Sequence, residues 1–188
     1  MANNFRNIIP KRTCVKKYAA YGSYKKYISA DFNRRCGYTD CSDFWFGGSN
    51  TFHIDHFKPW KKNPHLKTEY SNLVYCCSYV NILKSDDEGD YLDPCDADFN
   101  QHFERDSVGN IIAKTHSKEA NYMYNQLKLY MKRYQIIWML DEILIKLKKI
   151  EIAIKDPKNI TLKIDLHFVH SELSMEMTDY IEYLRLNQ

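Results

Sequence analysis

Apolar and polar positions change their period several times along this chain. Between residues 13 and 35, Val15, Tyr18, Ala19, Tyr27, Ile28 and Phe32 recur near helical spacing and predict one or two helices, interrupted at Gly22-Ser23. Residues 36–50 carry Gly37, Gly47, Gly48, Ser49 and Asn50 and read as loop. Thr51–Asp55 (TFHID) predicts a short strand, and Leu73–Cys76 a second. Between them Pro59 and Pro64 impose an irregular path. Ser78–Lys84 follows as a helix that begins near Ser78.

Residues 85–115 read as turns and short extended pieces around Gly89, Pro94 and Gly109-Asn110. From about Ser117 the period is helical again. Leu127, Tyr130, Met131, Tyr134, Ile137, Trp138 and Leu140 to Leu144 form apolar stripes that continue to about Ile154, and Asp156-Pro157 ends them. Ser171–Leu186 predicts a last amphipathic helix with Ser171 as its N-cap. The order is that of an α+β chain in three parts: a basic helical segment at 1–35, a core with a following loop element at 36–115, and a helical region at 116–188. No internal repeat interrupts it.

A chain of 188 residues, 44% hydrophobic and 27% charged, can bury a real core, which excludes a disordered chain. Aromatic residues make up 14%, including 15 Tyr; packing is the first reading of them, stacking on bases the second. The net charge of +3 permits nucleic-acid binding without requiring it. Its distribution says more. Lys11, Arg12, Lys16, Lys17, Lys25, Lys26, Arg34 and Arg35 load the first 35 residues, where Asp31 is the sole acid. Lys61 and Lys62 add to this, whereas the stretch from Asp86 to Asp106 is strongly acidic. One basic face beside an acidic loop suits a site that meets phosphates. No apolar run is long enough for a membrane span, and the first residues lack a secretion signal, so a cytoplasmic protein is expected. In that setting the six cysteines read as metal ligands or buried thiols, not disulfides.

The chemistry concentrates in HIDHFKP, residues 53–59, and YSNLVYCCSYVNILKSD, residues 70–86. Asp55 and His56 close the first strand, Asn72 and Asn81 follow His56 by 16 and 25 residues, and Lys84 lies one helical turn beyond Asn81. Phosphodiester hydrolysis needs a base that works near neutral pH, which histidine supplies. It also needs a cation against the phosphate, and Mg²⁺ takes one or two protein oxygens while keeping several waters. His53 shares a strand face with Asp55. Lys58, Lys61 and Lys62 follow in the loop, where lysines meet nucleic-acid backbone or plain solvent.

In residue type and spacing, Asp55-His56, Asn72 and Asn81 resemble the HNH, or ββα-metal, endonuclease family, in its asparagine-ending branch. The resemblance implies a small ββα-metal core flanked by an N-terminal helix and a C-terminal helical region. It implies His56 as general base, Asp55 and Asn81 as ligands of Mg²⁺ or Mn²⁺, and Asn72 as the residue that ties down the loop and orients the base. His53, Lys58, Lys61, Lys62 and Lys84 would contact the nucleic acid, double-stranded DNA first. The segments 18–36 and 91–103 look like the flanks of McrA-like and PtuB-like bacterial proteins. PtuB-like proteins belong to anti-phage systems and pair with an ABC-type, PtuA-like ATPase, so a partner-gated effector is implied, with the helical tail as docking surface. Many relatives in this branch carry a structural zinc on two CxxC pairs. Here Thr39 and Val80 replace the second cysteine of each, and the favoured reading is that zinc is absent, with Tyr38 and Val80 supplying packing instead. The opposing reading gathers Cys36, Cys41, Cys76 and Cys77 around one ion. A silent HNH-derived binding subunit, an RNA- or tRNA-directed nuclease and a stand-alone restriction-like enzyme are the rival functions.

Overall fold

The computed structural model describes residues 2–187, a mixed α and β chain that divides into two compact units, 1–134 and 135–188. The first unit begins with a two-residue strand, β1 (Asn3–Asn4), followed by α1 (Lys25–Asp31), β2 (Phe52–His56), β3 (Leu73–Cys77), α2 (Ser78–Lys84), α3 (Phe99–His102), β4 (Phe103–Arg105), β5 (Ile111–Ala113) and α4 (Lys118–Gln126). A long helix, α5 (Lys132–Lys155), crosses the boundary between the units, and α6 (Lys163–Leu186) completes the second.

The expected strand–loop–strand–helix order is present, with boundaries shifted by a residue or less at β3 and α2. β2 and β3 pair antiparallel, with Phe52 opposite Cys77, His53 opposite Cys76 and Asp55 opposite Val74. Alternation therefore puts His53, Asp55, Val74 and Cys76 on one face and Phe52, Ile54, Leu73, Tyr75 and Cys77 on the other. All five β3 residues are buried, which explains its unbroken apolar reading. α2 lies on the first of these faces. Its Lys84 reaches Asp55, and its Asn81 reaches His53 and Cys76.

The basic front segment differs from its expectation. Only a short 3-10 turn (Tyr21–Tyr24) and α1 are helical. Residues 13–18 are irregular, held where the Thr13 amide and hydroxyl donate to Asp31 at 2.6 and 2.7 Å. Nor is the segment a part of its own. β1 pairs with β4, which pairs with β5, and Phe5 packs its ring 5.6 and 5.3 Å from Phe99 and Phe103. Arg105, wholly buried, donates to the carbonyls of Phe5, Gly109 and Thr39 and so joins β1, the β4–β5 turn and the loop after α1. Ser117, expected near a helix start, caps α4 by accepting from the Ala120 amide at 3.1 Å.

The helical tail divides elsewhere than expected. Residues 116–134 belong with the first unit. In the second, Asp156 caps a 3-10 segment (Pro157–Leu162), and α6 begins at Lys163, so Ser171 lies inside that helix and is not its N-cap. No described residue of α6 is buried. Among the described residues, no helix is long and apolar enough to cross a membrane.

Candidate active site

Asp55, His56 and Asn81 line one open cleft of about 400 Å³, together with Tyr21, Pro59, Trp60 and Lys61. The strand end brings the first two, and the first turns of α2 carry the third across the hairpin. Asn72 lies behind the cleft, not in it. Its side-chain oxygen accepts from the Lys58 amide at 2.8 Å and its nitrogen donates to the Lys58 carbonyl at 2.9 Å. This two-way clamp fixes the backbone just after His56.

His56 is nearly enclosed. Its Nε2 lies 2.8 Å from the Lys67 carbonyl oxygen, and Tyr21 stands edge-on at 4.8 Å between ring centres. A carbonyl only accepts, so Nε2 carries the proton, and in the neutral ring Nδ1 is left as the acceptor. Burial lowers the imidazole pKa below its usual 6.5, more than the Lys67 carbonyl and Asp55 raise it. The neutral ring is thus the resting form at physiological pH.

Asp55 is 5% exposed. Burial raises its carboxyl pKa, and the opposing groups are Lys84 and then Tyr38. Tyr38, itself wholly buried, donates to Asp55 Oδ2 at 2.7 Å. Lys84 Nζ lies 3.2 Å from Oδ2 and 3.4 Å from Oδ1, and donates to the His56 carbonyl at 2.9 Å. Lys84 has no exposed surface and sits over the Tyr91 ring at 5.4 Å. The expected phosphate contact is therefore corrected. This lysine is sealed inside as the partner of Asp55 and cannot reach a nucleic acid, because its helix face turns inward onto β2.

Asn81 Nδ2 lies 3.3 Å from His53 Nδ1, and Asn81 Oδ1 faces the Cys76 thiol at 4.0 Å. His53 is exposed. Among the described residues, Asp55 Oδ1 and Asn81 Oδ1 hold long contacts, at 3.4 and 4.0 Å, and keep acceptor capacity. Lys58 is exposed beside the cleft, whereas Lys61 and Lys62 pair with Asp86 at 2.8 Å and Glu88 at 3.4 Å. Exposed pairs of this kind are worth about 0–1 kcal/mol and exchange readily.

Comparison with protein-family models and with curated proteins returns no match for this chain.

The four cysteines of the zinc alternative do not converge. Strand alternation turns Cys76 toward Asn81 and Cys77 to the opposite face, where it meets Cys36. The Cys41 thiol points to the carbonyls of Thr39 and Tyr134. Among the described residues, no three His, Cys, Asp or Glu side chains are grouped to hold a metal ion. Sequence reasoning treats Tyr38 as packing only and misses the Lys67 carbonyl. A hydroxyl two residues from Cys36 is a visible signal; a backbone acceptor carries none.

Proposed function

We propose that the chain is an HNH-type, ββα-metal endonuclease that hydrolyses phosphodiester bonds, with DNA as the first substrate to test. The observation that carries this is the convergence of Asp55, His56 and Asn81 on one cleft, with His56 Nε2 committed to the Lys67 carbonyl. His56 Nδ1 is the base. It takes a proton from water as that water attacks phosphorus, and the bond from phosphorus to the leaving sugar oxygen breaks. The Lys67 carbonyl holds Nε2 and leaves Nδ1 as the acceptor, while Asn72 fixes the backbone that follows His56. Asp55 and Asn81 would supply oxygens to Mg²⁺ or Mn²⁺, which when bound neutralises charge on the phosphate and the departing oxygen. Tyr38 and Lys84 hold the Asp55 carboxylate in place. Lys58, Lys61 and Lys62 would meet flanking phosphates, the last two by exchanging their carboxylate partners.

The proposal extends to an anti-phage effector working with an ABC-type ATPase. The exposed apolar side chains of α6, among them Ile164, Phe168 and Met175, are a surface on which such a partner would seat.

The test is cleavage of plasmid DNA and total RNA by the purified protein with Mg²⁺ or Mn²⁺, alone and with a neighbouring ATPase. Cutting is expected to vanish in His56→Ala, whose circular dichroism stays that of the parent. Cutting by His56→Ala at the parent rate would remove the base assignment.

A further inference from the structure

A second concavity, of about 300 Å³, lies beside the candidate active site and takes no part in the chemistry above. It is lined by Tyr18 and Tyr24, by Thr68 to Ser71, and by Lys16, Lys17 and Cys14, with the Tyr24 and Tyr70 rings packed 4.9 Å apart. The two hollows are linked through neighbouring positions of the chain. Lys67, whose carbonyl holds His56, directly precedes the wall 68–71, and Tyr21, which stands edge-on to His56, lies between Tyr18 and Tyr24 in the chain.

We propose that this hollow takes an unpaired nucleobase of the substrate strand next to the bond that is cut, so that the enzyme acts on flaps, overhangs or bulges in preference to blunt duplex. The inference rests on the nuclease reading of the neighbouring cleft. Tyr18 is half-buried, its ring backed edge-to-face by Tyr24 at 5.0 Å and tilted against Tyr27 at 6.0 Å. A ring fixed in that way is ready to stack on a base. Among the described residues, neither Lys16 nor Lys17 is paired with a carboxylate, in contrast to Lys61 and Lys62 at the cleft. Two such ammonium groups at the rim, Lys16 resting 5.8 Å from the Tyr27 ring centre, suit the phosphates on either side of a splayed base. Glu69, an exposed residue of the lining, supplies an acceptor able to meet an exocyclic amino group. Arg12 lines the same hollow, but its guanidinium is committed to Asp93 at 3.0 Å and the Leu73 carbonyl at 2.9 Å, so it shapes the floor. Bases within a duplex stay stacked and cannot enter a concave site, whereas an unstacked base can.

Cys14 gives a readout independent of cutting. Only Cys14 and Cys95 among the cysteines are not buried, so in a His56→Ala/Cys95→Ser chain iodoacetamide reports chiefly on Cys14. The probes are a DNA hairpin with a six-nucleotide single-stranded overhang and the same hairpin with a blunt end. The overhang is expected to slow Cys14 alkylation at least fivefold when bound, and the blunt hairpin to leave it unchanged. Tyr18→Leu should lower affinity for the overhang about tenfold, the range for losing one base–aromatic stack, while Tyr18→Phe keeps it. Lys16→Ala/Lys17→Ala should weaken the overhang more than the blunt probe and lower its salt dependence. If both probes bind and Cys14 stays equally reactive, or Tyr18→Leu binds the overhang as the parent does, the base pocket is overturned and the nuclease reading stands. If neither probe binds, both fall.

Discussion

Lys84 and Asp55 are stable inside the protein only as a pair. The ammonium has no exposed surface, the carboxylate 5%, and the 3.2 Å contact between them is backed by the Tyr38 hydroxyl and the His56 carbonyl. Lys84→Met would leave the carboxylate enclosed with one hydrogen bond, and removing one member of a buried pair costs about 3–5 kcal/mol. Urea denaturation should show that loss, and the double variant Lys84→Met/Asp55→Asn should recover part of it; full additivity of the two substitutions would mean the pair is not coupled. His56 gives a second expectation, in pH. Its folded pKa lies below the 6.5 of a free imidazole, so the imidazole stays deprotonated down to a lower pH than an exposed histidine would. The acid limb of cutting should therefore fall below pH 6.5, and a limb centred above that value would point to another base. The sign for stability runs the same way. A histidine with a depressed folded pKa favours the fold above its unfolded pKa and loses that contribution as pH falls through the folded one. At this scale the residue types and spacing around Asp55, His56, Asn72 and Asn81 were legible in the sequence. The inward turn of Lys84 was not, because it depends on the Tyr91 ring, held by Asp87 at 2.8 Å, closing over the ammonium from another part of the chain.

The hairpin and α2 were readable as elements because each carries its own signal: a run of apolar and β-branched or aromatic residues, then a serine opening a helical turn. β1 was not, since a two-residue strand of asparagines has no pattern and exists through the register Asn3–Arg105 and Asn4–Glu104 that the rest of the fold offers. The start of α6 was missed for a related reason, a serine inside a helix looking like a cap when its hydroxyl has no visible partner in the sequence. Gly37 shows where an element boundary is under steric control. A β-carbon there would fall 2.7 Å from Phe32 Cε1 and 2.8 Å from Val74 Cγ1, between α1 and β3, and the Gly37 amide already donates to Tyr75 at 2.8 Å. Gly37→Ala is expected to cost about 1–3 kcal/mol by overpacking, measured by chemical denaturation. An unchanged midpoint would mean that Phe32 and Val74 yield without strain. Ser117→Ala removes the α4 cap, and with it the contact to His102 at 2.8 Å, and should cost about 1 kcal/mol by the same measurement.

At the scale of the molecule, everything assigned to chemistry lies within residues 1–134, while 135–188 contribute helix. A 24-residue helix without a single buried described residue, exposing Ile164 at 83%, Phe168 at 63% and Met175 at 67%, is costly to keep in water unless something covers it. These three recur at i, i+4 and i+11 and so share one helical face. Ile164→Asp/Phe168→Asp tests what that face is for. Neither side chain is part of a core, and the first of the two new carboxylates would fall in the first turn of α6, where the helix dipole favours negative charge. The stability of the isolated chain should therefore change by no more than about 1 kcal/mol. Intrinsic cutting should be unaltered, because no residue of the cleft lies in this unit. If the proposed ATPase partner docks here, the double variant should lose its effect on cutting, together with its co-purification. If the partner still binds and still controls cutting, α6 is not the docking face, and the exposed residues of the first unit become the place to look.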